Sequence, residues 1–194
     1  MNIEEIINKT NGIITAEDFR KFNITKYEIK KFLDDEKIYR YCRGIYIADG
    51  YFPDEFYIFQ KKYKNSVFSY NTAMYLLELS ERTPFYFDIT LYSGYGLTKF
   101  EEKVKIHYTK VENLNLGKIK VKTPMGFEVD CYNKERILCD IIKGNNIGID
   151  KEQANKFIKE TIGKNKIDTI KLIDYAKKLK CEEKVRNVME VFIW

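Results

Sequence analysis

Four residues, Thr25-Lys26-Tyr27-Glu28, constrain the start of this chain more than any other feature. A Thr followed three positions later by Glu lets the two residues satisfy each other's backbone donors, so a helix begins at Lys26. Ile29, Phe32 and Leu33 follow at i, i+3, i+4 and predict its inward side. Upstream, Ile3, Ile6 and Ile7 form an apolar stripe at helical spacing that stops at Asn11-Gly12. Thr15 then caps a second short helix, with Glu17 and Asp18 placed to favour its dipole. Phe19 and Phe22 supply its buried side, and Asn23 ends it. After Asp34-Asp35-Glu36 the period changes. Ile38-Tyr39-Arg40-Tyr41 and Ile45-Tyr46-Ile47 are β-rich runs joined through Cys42-Arg43-Gly44, a hairpin signal.

Two helices, a four-residue break, a third helix and a hairpin follow the order of a winged helix-turn-helix. Beyond Gly50 the pattern is different. Pro53-Asp54 opens a helix running to about Lys64, and Ser69 caps another over Tyr70 to Leu79. Strands are expected from Phe85 to Tyr92 and Lys103 to Tyr108, then around Ile119-Lys120-Val121 and Phe127-Glu128-Val129. From Asn133 the chain reads as helical to its end. The expectation is an α+β chain in two domains: a winged helix-turn-helix at 1–50, and a mixed α/β domain at 51–194 ending in a helical segment.

Charge sharpens the first domain. The net charge is +5, but residues 1–50 hold nine basic and nine acidic groups. Between Arg20 and Tyr46, eight basic residues stand against four acids. Lys26 and Lys30 fall one turn apart on the outer side of the third helix, and Tyr27 and Lys31 form a parallel pair. A recognition helix presents its N-terminal residues to base edges, with cations on flanking phosphates. Arg40 and Arg43 sit where a wing can follow the backbone or enter the minor groove. Lys26, Tyr27, Lys30, Lys31, Arg40 and Arg43 are therefore the candidate DNA-binding residues, with Tyr27 the candidate for base or sugar contact. A protein-only adaptor using the same fold is the bland alternative. The Lys-rich helices from Lys151 to Lys184 fit a solvated bundle face, or a basic patch for RNA or a DNA flank.

Other chemistry is thinly represented. One histidine, His107, excludes a His-rich metal site, and it reads as a surface or half-buried structural residue. Cys42, Cys131, Cys139 and Cys181 lack metal-ligand spacing and read as buried free thiols. Asp88 followed by Glu101-Glu102-Lys103 imitates the Asp…Glu-x-Lys pattern of metal-dependent nucleases, which is the alternative enzymatic reading. Gly94-Tyr95-Gly96 reads as a turn, not a dinucleotide site. No catalytic residue, metal or cofactor is expected. The start, MNIEEIINKT, has neither the basic nor the long apolar region of a signal peptide, and no run suits a membrane span, so the cytoplasm is expected.

Gly12-Ile13-Ile14-Thr15, the Phe22 region, Lys37-Ile38-Tyr39-Arg40 and Arg43-Gly44-Ile45-Tyr46 resemble the N-terminal domain of AbiEi-type antitoxins, regulators of bacterial abortive-infection systems. The resemblance continues through Phe68-Ser69-Tyr70-Asn71-Thr72-Ala73, Pro84, and Lys134-Glu135-Arg136-Ile137-Leu138-Cys139-Asp140, covering nearly the whole chain. The chain departs from the family's pattern at Ile137, where Thr is usual, and at Asn71-Thr72, where a small pair is usual. The resemblance implies a winged helix that binds inverted repeats in double-stranded DNA upstream of its own operon and represses it. It also implies a C-terminal domain that antagonises a nucleotidyltransferase-like toxin without a stable complex. Arg136 and Asp140, one turn apart, read as an ion pair docking their helix against the sheet.

Overall fold

The computed structural model describes residues 2–96, 103–144, 151–163 and 167–193. The fold is mixed α+β, and the chain divides into two compact units, Met1–Lys62 and Tyr63–Trp194.

In the first unit the order is α1 (Ile3–Thr10), β1 (Ile13–Thr15), α2 (Ala16–Lys21), α3 (Lys26–Asp34), β2 (Ile38–Cys42), β3 (Ile45–Ala48) and α4 (Glu55–Lys62). The three strands form an antiparallel sheet in the order β1-β3-β2. Strand β1 is absent from the sequence expectation. Its three residues are all buried, so no alternation marks it, and its partners Ile45 to Ile47 lie far along the chain. Ile3, Ile6, Ile14, Phe19, Ile38 and Ala48 make the core, on which Ile29, Phe32 and Leu33 of α3 pack, half-buried. The Phe19 ring meets Tyr46 edge-on at 5.2 Å, a geometry aromatic quadrupoles favour. Fully burying one such side chain is worth about 1.5–3 kcal/mol and half-burial roughly half of that, so three half-buried side chains hold α3 by packing more than by its own propensity.

The boundary lies one helix beyond the expected junction at Gly50. Tyr51 donates its N–H to the Ala48 carbonyl at 3.1 Å and lays its ring where a Gly12 Cβ would stand. Gly12 has φ of 80°, so the turn into β1 needs a residue without a side chain both for conformation and for space. Asp54 then starts α4 by accepting the Tyr57 N–H at 2.9 Å.

The second unit runs β4 (Val67–Phe68), α5 (Tyr70–Leu76), β5 (Phe87–Tyr92), β6 (Val104–Thr109), α6 (Val111–Leu114), β7 (Lys118–Lys122) and β8 (Glu128–Tyr132). Four helices complete it: α7 (Lys134–Lys143), α8 (Lys151–Gly163), α9 (Thr169–Lys178) and α10 (Glu182–Ile193). Its sheet has the order β6-β5-β4-β8-β7. The β5–β6 and β4–β8 pairs are parallel, and the β4–β5 and β7–β8 pairs antiparallel. Helix α5 packs on β5 and on α7, and α7 packs in turn on α9 and α10. The edge strand β7 exposes Lys118, Lys120 and Lys122, charges that discourage strand addition at that edge.

Arg136 shows how α7 is seated. Its Nε donates to Asp140 Oδ2 at 2.9 Å, and its Nη1 donates to the carbonyls of Asn113 and Leu116 at 2.7 and 2.9 Å. The guanidinium lies 4.2 Å from the centre of the Tyr132 ring. The ion pair expected from spacing is therefore present, and the same cation also satisfies carbonyls at the end of α6. Burial pushes the Asp140 carboxyl above the ordinary carboxylate range, and Arg136 pulls it back.

Candidate nucleic-acid interface

Helix α3 starts where its local chemistry dictates. Thr25 donates its N–H and its hydroxyl to Glu28 Oε2 at 2.8 and 2.7 Å, and Glu28 returns its N–H to Thr25 Oγ1 at 3.2 Å. The backbone and hydroxyl donors of Thr25 hold the Glu28 carboxyl below its ordinary range. A second capping box, Thr15 with Asp18, starts α2 in the same way. Between the two helices Asn23 takes φ of 56°, and Ile24 donates its N–H to the Phe19 carbonyl at 2.8 Å, closing the turn.

With Ile29, Phe32 and Leu33 turned to the core, Lys26, Tyr27, Lys30 and Lys31 are all exposed. Tyr27 is 79% exposed, so a large apolar ring stands in solvent beside the helix N-terminus. Among the described residues none of these four side chains is hydrogen-bonded or ion-paired. That leaves three ammonium groups with no acid among the described residues to neutralise them.

The hairpin carries the other two candidates. Cys42 pairs with Ile45, so Arg43 and Gly44 form the connection, with Gly44 at φ of 78°. Arg40 pairs with Tyr46 and Cys42 with Ile45, which leaves Tyr41 as an extra residue and makes a β-bulge. Both arginines are exposed, and among the described residues neither has a partner. Helix α3 packs directly against β2, so helix and hairpin are neighbours within one unit. Tyr39 and Tyr41 on β2 are also exposed, at 45% and 42%. They escape a search for cations, and β2's alternation of Tyr with Arg is the signal that marks them.

The residues of the nuclease pattern are arranged differently. Asp88 is 1% exposed, and its two carboxylate oxygens are engaged: Oδ1 lies 2.8 Å from His107 Nε2, and Oδ2 accepts from Asn71 Nδ2 at 3.2 Å. Thr72 Oγ1 accepts the Asp88 N–H at 2.8 Å. Glu101 and Glu102 lie outside the described residues. His107 is a buried residue, not a surface one: the Tyr70 ring, at the start of α5, lies tilted against it at 4.0 Å. Burial pushes the Tyr70 phenol up, with the Asp140 carboxylate adding to the effect. Beside Asp88 is a recess of about 250 Å³ lined in part by Arg82 and Lys105. Among the described residues, no group of His, Cys, Asp or Glu is arranged to hold a metal ion. No helix among them is long and apolar enough to cross a membrane.

No protein-family model and no curated protein matches this sequence.

Proposed function

We propose that the chain is a DNA-binding transcriptional regulator whose first unit is a winged helix-turn-helix, with α3 as recognition helix and the β2–β3 hairpin as wing. The observation that carries this reading is the exposed cationic surface of α3, unpartnered among the described residues, beside the hairpin that bears Arg40 and Arg43. Lys ammonium groups act as point charges on phosphates, whereas Arg can fork across a phosphate or enter the minor groove. Lys26, Lys30, Lys31, Arg40 and Arg43 thus anchor the backbone. Tyr27, one residue inside the helix start, offers a ring to a sugar or base edge.

The element order supports the same reading, because helix, strand, two helices and a hairpin is the winged arrangement. The likeness to AbiEi-type antitoxins extends it. On that likeness the chain represses its own promoter at inverted repeats in the cytoplasm, and its second unit opposes a nucleotidyltransferase-like toxin. The role of the second unit is that of an antagonist, not an enzyme.

The DNA face is tested by a gel-shift titration on the chain's own promoter across a salt series. In Lys30→Ala/Arg43→Ala, the slope of log affinity against log salt falls by about 1.8, for two lost phosphate contacts. An unchanged slope places DNA elsewhere. The antitoxin role is tested by co-expressing the chain with a nucleotidyltransferase-like toxin from the adjacent reading frame, where restored growth is the expected outcome.

A further inference from the structure

Of the four free cysteines, two meet. Cys139 lies on α7, and Cys181 immediately precedes α10, where its carbonyl accepts the Val185 N–H at 3.0 Å as a capping residue does. Although 42 residues apart, they approach closely: Cys181 Sγ donates to the Cys139 carbonyl at 3.9 Å, and Cys139 Sγ donates to the Leu172 carbonyl at 3.7 Å. Cys42 and Cys131 stand apart from this pair, one half-buried in the hairpin and the other buried in β8.

We propose that Cys139 and Cys181 are a thiol modification site, an oxidisable pair that closes into a disulfide between α7 and α10 on reaction with a small disulfide of the glutathione type.

The two sulfurs are unequal in the way this reaction uses. The neighbouring Cys139 side chain pulls the Cys181 thiol down, burial and Asp140 oppose it, and Lys143 and Lys184 assist. The Cys181 side chain in turn pushes the Cys139 thiol up, burial and Asp140 add to this, and Arg136 opposes. Lys184 is held beside the pair, its Nζ donating to the Lys143 carbonyl at 3.1 Å. The α10 N-terminus adds unsatisfied N–H groups that favour a thiolate at its cap. Cys181 is also the more open of the two, 4% exposed against 0%. Cys181 is therefore the attacking sulfur and Cys139 the resolving one.

In the first step the Cys181 thiolate attacks one sulfur of oxidised glutathione, breaking that S–S bond and expelling a glutathione thiolate. In the second, Cys139 loses its proton to solvent and attacks Cys181 Sγ, forming the intramolecular bond and expelling the second glutathione. Two electrons and two protons pass from the protein to glutathione, which leaves as two thiols. The product ties α10 to the helix that carries Arg136 and Asp140.

The test uses the whole native chain in glutathione buffers of rising oxidised fraction, quenched with acid, alkylated and mapped by peptide mass. The expected product joins the Cys139 and Cys181 peptides with loss of two hydrogens, while Cys42 and Cys131 remain alkylated. In Cys139→Ser, glutathione stays on Cys181; in Cys181→Ser, Cys139 stays unmodified. The proposal is overturned by four alkylated thiols at the highest oxidised fraction, or by a bridge involving Cys42 or Cys131. A bridge formed only in urea, or glutathione on Cys139 of Cys181→Ser, overturns it equally. Should a serine variant lose its far-ultraviolet circular dichroism, the wild-type map decides alone.

Discussion

Lys30 and Arg136 are both cations on helices that pack beside a sheet, yet their surroundings are opposite. Arg136 is 1% exposed, with one carboxylate, two carbonyls and an aromatic ring around it. Lys30, on a helix with no fully buried residue, is exposed, and among the described residues it has no partner. A cation taken out of water must be met on every side, and its neighbours then depend on it. A cation left in water contributes little to folding and is available to an outside anion. The second unit uses Arg136 as structure; the first leaves Lys30 in solvent.

The contrast breaks most directly in Arg136→Ala. Removal leaves Asp140 buried without its cation and two carbonyls unsatisfied, which costs about 3–5 kcal/mol. In urea melts the second unit should lose much of its stability, whereas Lys30→Ala should stay within about 0.5 kcal/mol of wild type. Equal losses would erase the distinction.

Gly117→Ala probes the same seat from the backbone side. Gly117 has φ of 78°, and an added Cβ would come within 2.6 Å of Arg136 Cβ and 2.9 Å of Asn133 Oδ1. The left-handed conformation and the overpacking together cost about 2–4 kcal/mol, read from the shift of the urea midpoint.

At the start of α3 the expected effect is smaller. Thr25→Ala removes the capping box of α3 and costs about 1 kcal/mol, measurable by thermal denaturation. Lys30→Ala alone should leave that melt unchanged and lower the salt slope of DNA binding by about 0.9. A cap variant that changes the slope as much as the lysine variant would mean that α3 is positioned by its cap and not by its core contacts.

A further effect is alkaline. Burial, with the carboxylates of Asp18, Glu17 and Asp54, pushes the Tyr57 phenol from 10.0 to about 12. A raised value in the folded state favours the neutral phenol. The stability it contributes is complete below pH 10 and is lost as pH rises towards 12. Tyr57→Phe should flatten the loss over that window; an unchanged pH profile would show that the phenol stays neutral for another reason.

Much of the first unit is legible in its sequence. The Thr25–Glu28 capping box, the Thr15 cap, the apolar spacing of α3 and the two hairpin runs each depend on residues within four positions of one another. Four of the six candidate residues follow from the same spacing, since an inward face at Ile29, Phe32 and Leu33 forces Lys26, Tyr27, Lys30 and Lys31 outward. Strands β1 and β4 are not legible, having three and two residues with no room for a period. Ser69 occupies the N-cap of α5 as expected, yet its side chain makes no capping bond, and α5 ends at Leu76, short of Leu79.

By itself the sequence determines where α3 and the hairpin begin, which of their cations face outward, and that Arg136 reaches Asp140 one turn away. Those outcomes rest on hydrogen bonds and packing repeats that close within a turn or a strand pair. Only the tertiary structure decides that β8 lies beside β4, that His107 finds Asp88 19 residues upstream, and that Cys139 meets Cys181. Each of these joins residues whose separation along the chain carries no period, so their partnership appears only when the sheet closes and the helices pack upon it.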